Sequence, residues 1–176
     1  WAKLGSDGAW QAWLSRMGLD IAPLQAANCG FDRAGGWSTH LRERFAGSPV
    51  KSTVVRFEGF ERKGEFVLTQ SGIEGSLVYA VSRQLRQHIQ AHAQATLHLD
   101  LKPDWSLDKV RAEIERSRGS RSLSSQLKSR LHLAPVHLAL LYELLPKAAF
   151  NDSAALAQAI KQLPITLSAA RPLDEA

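Results

Sequence analysis

Apolar and polar positions alternate along the chain with two different periods, and the change between them falls at Ser106. Ahead of it, VKSTVVRFEGF (50–60) and GEFVLTQ (64–70) follow the period of two that a half-buried strand requires, so the pair reads as a hairpin whose turn is ERKG (61–64). Val54, Arg56 and Glu58 then share one face, and Val55 and Phe57 the other. ATLHLDL (95–101) repeats the alternation, and LQAANCGFDRA (24–34) is weakly extended. Helical spacing fills the gaps. Leu77, Val78, Val81, Leu85 and Ile89 form one stripe, and WSTHLRERF (37–45) suffices for about two turns. SDGAWQAWLSRMG (6–18) sets Trp10, Trp13, Leu14 and Met17 on one side of a short helix, with Ser6 or Asp7 as its N-cap and Gly18 as its stop.

From Ser106 onward, four segments carry helical spacing and a start signal each: Ser106, a serine near Leu123, Pro135 in a first turn, and Asp152. Short helices with brief connections predict a small bundle. Pro164 then stops the last of them, and ITLSAARPL (165–173) is extended again. The expected class is α+β, an antiparallel β-barrel-like subdomain interrupted by a small helical bundle. The expected division is a connecting segment with a short helix (1–19), a β-rich subdomain (20–103 plus 163–176) and a helical subdomain (104–162).

Within LTQSGIEGSLVYAVS (68–82), Gly72 and Gly75 stand three apart where strand-like spacing becomes helical. A missing Cβ lets another backbone or a ligand approach closely, and the free amides at a helix start attract anions. The pattern is not G-x-G-x-x-G and has no phosphate-binding lysine. A structural turn is the plainer reading, a ligand-facing turn the sharper one.

A chain of 176 residues with 44% hydrophobic content suffices for a core in one domain or two small subdomains. The single cysteine, Cys29, excludes an internal disulfide, and no apolar run nears the roughly 20 residues that span a bilayer. With no secretory leader in view, the cytoplasm is the expected location, with no membrane partner. The opening WAKLGSDGAW, without methionine, and the closing RPLDEA are expected of a piece excised from a longer protein. Of the net charge of +5, residues 102–130 contribute +4, from eight Lys or Arg against four acids. Such a segment attracts phosphates, so the alternative reading is a basic nucleic-acid-binding module over 102–130. Interleaved acids and a single aromatic, Trp105, favour a solvated helical face instead.

Catalytic patterns are sparse. His88 and His92 are four apart on a helix, but no glutamate completes H-E-x-x-H and no third ligand stands out, so they read as surface histidines and no metal is expected. His98 and Asp100 share a strand face without a nucleophile nearby. Cys29 reads as a small buried thiol. LSSQLKSRLHLAPVHLALLYELL (123–145) has the outline of a helix-turn-helix, yet its second helix is almost wholly apolar, which suits a core and not a major groove.

WAKLGSDGAWQAWLSRMGLDIAPLQAANCGF, GEFVLTQSGIEGSLVYAVS and LSAARPLDEA resemble, in this order, the middle of bacterial FAD-dependent NAD(P) oxidoreductases of the BaiN/RdsA type, also described as aminoacetone oxidase family flavoproteins. Gly64, Glu65, Thr69, Gly72 and Gly75 match the central motif of that family. The resemblance implies an insert between two parts of a split flavin-binding domain, comprising a β-barrel and a helical subdomain. It implies an insert or cap that shapes the flavin- or substrate-facing cleft and is not catalytic alone, in a parent that is an FAD-dependent oxidoreductase. FAD, with NAD(P), would be held by the parent and no cofactor by this piece. Its partners would be the flavin-binding domain of the same chain and an unknown small-molecule substrate, not nucleic acid. By the same resemblance, Lys3, Ser6 and Asp7 lie in the segment leaving the flavin domain, and with Gly72 and Gly75 they are the candidates for facing the flavin or the substrate. Catalytic residues remain unassigned.

Overall fold

The computed structural model describes residues 5, 7–117 and 119–175. Six strands, β1 (Phe31–Arg33), β2 (Pro49–Phe57), β3 (Phe60–Leu68), β4 (Gly72–Glu74), β5 (Ala95–Asp100) and β6 (Leu163–Ala170), close into a barrel in the order β1-β4-β3-β2-β5-β6. Every neighbouring pair is antiparallel. Closure leaves no unpaired sheet edge, and alternate residues fill the interior. Phe31, Val55, Phe57, Phe66, Leu68, Ile73, Leu97, Leu99, Ile165 and Leu167 are all buried. Together with the helices described below, the structure is an α+β fold built on an antiparallel barrel.

The β2–β3 hairpin turns at Glu58 and Gly59, not at ERKG. Both residues have positive φ, 43° and 81°, as the tight two-residue turn between twisted strands demands. Residues 61–64 consequently lie inside β3, with Arg62 opposite Val55 and Gly64 opposite Thr53. The misplacement arises because a glutamate with positive φ gives no sequence signal, whereas Lys-Gly looks like a turn.

Four helices accompany the barrel ahead of β5. Helix α1 (Trp10–Arg16) buries none of its residues, and α2 (Thr39–Phe45) is capped by Ser38 and buries Leu41. Helices α3 (Ser76–Tyr79) and α4 (Ser82–His92) carry the stripe Leu77, Val78, Val81 and Leu85 inward, with Ile89 packed against the same core. The N-cap of α1 is Ala9, not Ser6 or Asp7. Asp7 lies outside the helix, where its Oδ1 accepts from the Ala9 amide at 2.9 Å.

Between β5 and β6 run α5 (Leu107–Glu115), α6 (Leu123–Arg130), α7 (Pro135–Leu144) and α8 (Ser153–Lys161). Ser106, Ser122 and Asp152 accept from first-turn amides of α5, α6 and α8, and Pro135 occupies the first position of α7. Buried Gln126 closes the far end of α5, its Nε2 within 3.1 Å of the Glu113, Ile114 and Arg116 carbonyls. Val110, Ile114, Leu127, Leu131, Leu140, Leu141, Leu156 and Ile160 join the barrel side chains in one hydrophobic cluster. Polar stitches cross the same junction: the Leu101 amide donates to the Ile160 carbonyl at 2.9 Å, and the Ser38 hydroxyl to Glu143 Oε2 at 2.6 Å.

Candidate functional site

Of the residues expected to face a flavin or a substrate, Lys3 and Ser6 lie outside the described residues. Asp7 sits beside α1. Gly72 opens β4 and Gly75 follows it, and each is met by the backbone of this chain. A Cβ on Gly72 would overlap the Phe31 carbonyl oxygen and come within 2.8 Å of Asp32 Cα, because β1 runs directly across it. Gly75 precedes α3 with φ +107°, and its Cβ would meet Phe66 Cα at 3.4 Å. The peptide groups of Gly72 are also engaged: its amide donates to Thr69 Oγ1 at 2.8 Å, and its carbonyl accepts from the Trp37 indole at 3.1 Å. What approaches closely at this turn is therefore the barrel itself, and Thr69 of the central motif closes it.

The remaining candidates separate in space. His88 Nδ1 lies 2.7 Å from Glu58 Oε1 and its ring leans on Phe57 and His92, at the mouth of a cleft of about 510 Å³ that also takes in Arg56, Glu61 and His98. Among the described residues, no three His, Cys, Asp or Glu side chains are arranged to hold a metal. Cys29 is fully buried, and burial pushes its thiol above the usual range, which disfavours the thiolate. Much of the basic charge of 102–130 is paired within the fold: Arg111 with Glu115, and Arg116 and Arg130 with Glu113. Lys102 and Lys109 lie over the Trp105 ring at 4.8 and 4.2 Å from its centroid.

Two polar features escaped the sequence. Asp100, on the outer face of β5 with His98, is 1% exposed. Its Oδ2 lies 2.7 Å from Lys161 Nζ and 3.5 Å from Arg56, and its Oδ1 accepts from the Lys102 amide. Lys161 also donates to the Lys102 and Trp105 carbonyls at 2.8 and 2.7 Å, so all three of its protons are used. No local signal marks this cluster, since its members come from β2, β5 and the end of α8.

The second feature is His137, 7% exposed at the start of α7. Its Nδ1 accepts from the Ala134 amide at 3.2 Å, a bond that alanine cannot return, and this fixes the proton on Nε2. Burial, with Lys102 nearby, holds its pKa below the ordinary 6.5. The folded ring is thus neutral, while the unfolded chain takes a proton below about pH 6.5. Stability should be constant above that pH and fall as the pH drops towards the depressed folded value. Urea denaturation midpoints between pH 5 and 8 should show this slope, and His137→Gln should lack it. An equal slope in the variant would assign the effect elsewhere.

A third feature is apolar. Trp10, Trp13, Met17, Leu19, Leu24 and Leu173 are exposed. Leu24 and Leu173 border a cleft of about 350 Å³ with Ala26, Ile89, Ala170 and Arg86, where the Arg171 amide donates to the Gly30 carbonyl and brings the segments before β1 and after β6 together. Among known families, the one described as HI0933-like protein barrel and H2TH domain matches residues 25–176. The chain belongs to this family. It is the insert domain of HI0933/BaiN/RdsA-type flavoproteins, a family of FAD-binding proteins. No curated protein matches the chain in sequence. Beside Gly72 of the central motif the place of the missing Cβ is taken by protein backbone, while beside Gly75 the backbone stands at ordinary contact distance. No helix among them is long and apolar enough to cross a membrane.

Proposed function

We propose that this domain caps the flavin-binding part of its parent chain. On this reading it docks through the face that carries residues 10–24 and 170–173 and shapes the cleft where substrate meets flavin. The observation that carries it is the exposed side of α1 and its C-cap, where Trp13 is 72% and Met17 71% exposed among the described residues and the helix itself buries none of its own. Large apolar side chains gathered on one surface are held there for a partner. For an insert domain, the surface beside the segments that enter and leave the barrel is the natural place to meet the rest of the chain. Asp7, at the head of α1, belongs to this face, and the helical stretch 104–162 is a subdomain packed against the barrel.

The parent is an oxidoreductase using FAD and NAD(P), both held outside these residues, and the chemistry belongs to the flavin. The contribution of the cap is water exclusion and orientation. In the parent protein, the side chains of Trp13 and Met17 should be protected from oxidative footprinting, while in the isolated domain they should be labelled. Replacing both with serine should lower flavin-linked turnover about tenfold, as loss of an interface anchor does, and leave the melting temperature of the isolated domain unchanged. Equal labelling in the two contexts together with unchanged turnover would remove the docking face.

A further inference from the structure

Where the barrel meets the helices, a cleft of about 340 Å³ is lined by Lys51, Ser52, Lys102, Asp104, His132 and His137, among others. It has three walls. One is the β2 bulge, where register slips between Val50 and Thr53; another is the segment after β5; the third is the α6–α7 turn. Three independent observations mark it.

The first is an orphan donor. His137 is more than nine-tenths buried and forms part of the lining, and its Nε2, which carries the proton, has no partner. The Lys51 carbonyl approaches the ring without reaching hydrogen-bond geometry. A buried N–H left unmet costs about 1–3 kcal/mol, and natural folds rarely leave one without a use. The second observation is charge. Lys51 and Lys102 line the cleft, and the carboxylate in its lining, Asp104, is paired with Lys63 at 2.6 Å. Desolvation lowers the pKa of Lys102 against the opposing pull of Asp104, with Lys109 and Lys161 adding like charge, so an anion would be welcome beside it. The third is backbone strain. Ser52 and His132 face the same space with φ of 53° and 52°, a conformation that costs a non-glycine residue of order 1–3 kcal/mol and gathers at ligand sites. The first turn of α7 adds its positive end, with no side-chain acceptor at Ala134 to close it.

We propose that this cleft binds the phosphate group of a small molecule, with the Lys51 and Lys102 ammonium groups and the His137 Nε2–H as its donors. Two lysines around one neutral imidazole suit a doubly charged oxyanion better than a carboxylate, and the volume suits a small ligand. Free phosphate and a phosphate monoester share this chemistry.

Inorganic phosphate and phenyl phosphate, titrated separately at constant ionic strength into isotopically labelled protein, distinguish the two sources. Saturable shifts of the His137 imidazole and of the Lys51 and Lys102 amides are expected with both if the site takes phosphate alone, and tighter with the monoester if it also holds an organic group. Lys102→Met should weaken binding about tenfold, the worth of one charged hydrogen bond. Lys128→Met, on the exposed face of α6, should not. His137→Gln tests the donor, and Lys51→Met provides a second reading if that variant is unstable. Shifts that fail to saturate at tens of millimolar, or that persist unchanged in Lys102→Met, would overturn the site. A duplex oligonucleotide that binds through the same residues more tightly than the monoester would overturn the small-ligand assignment. No flavin is present in these titrations, so their outcome is independent of the docking face.

Discussion

Gly72→Ala should unfold the barrel or cost at least about 3 kcal/mol, at the upper end of single-substitution effects. The cause is steric. Gly72 pairs with Asp32 across β1 and β4, and an added methyl would overlap the Phe31 carbonyl oxygen with Asp32 Cα only 2.8 Å away. Both obstacles are backbone, so no rotamer change relieves them, and separation of the strands would break the closure between β1 and β4. The Trp37 indole that donates to the Gly72 carbonyl would lose its acceptor as well. Gly75→Ala should be milder, about 1–3 kcal/mol, because its neighbours stand at ordinary contact distance and the cost comes from φ of +107°. Equilibrium denaturation ranks the two, and the Trp37 indole N–H resonance reports whether β4 has moved. A Gly72→Ala protein within about 1 kcal/mol of the parent, inside the range of ordinary substitutions, with that resonance unshifted, would contradict the crossing.

The same glycine marks the limit of what the sequence discloses. Spacing and composition single out Gly72 as a place of close approach, but the partner, Phe31, lies 41 positions earlier, and only closure of the barrel brings it there. Local physics is legible. Ser106, Asp152 and Pro135 start helices because a hydroxyl, a carboxylate and a fixed φ act within their own turn. Alternation in 50–57 and 95–100 marks strands because one side faces the barrel interior. The hairpin turn is not legible, since Glu58 takes a conformation that its side chain does not favour. Nor is the placement of α1: its stripe of Trp and Met reads as a core face, yet its covering surface is not among the described residues. The junction cleft is hidden for a further reason. Lys51, Lys102 and His137 are ordinary in their own segments, and they become a group only where a strand bulge meets a helix start.

Lys161→Met should cost about 3 kcal/mol, the usual penalty for removing one member of a buried ion pair. The side chain is 15% exposed and its ammonium holds three acceptors, Asp100 Oδ2 and the Lys102 and Trp105 carbonyls, so that α8 is pinned to the segment between β5 and α5. Methionine keeps the unbranched apolar stem but leaves an almost fully buried carboxylate, with Arg56 at 3.5 Å as its remaining cation. Asp100→Asn keeps the acceptor for the Lys102 amide and removes the charge instead. If the penalty lies in the stranded carboxylate, the double variant Lys161→Met/Asp100→Asn should be more stable than the sum of the single losses predicts, with a coupling of about 1–3 kcal/mol. Strict additivity would mean that Lys161 acts through its carbonyl contacts alone. A Lys161→Met protein with unchanged stability would mean that the helices are held to the barrel by the apolar cluster without help from this ion pair, and Lys102 would then keep its position beside the junction cleft.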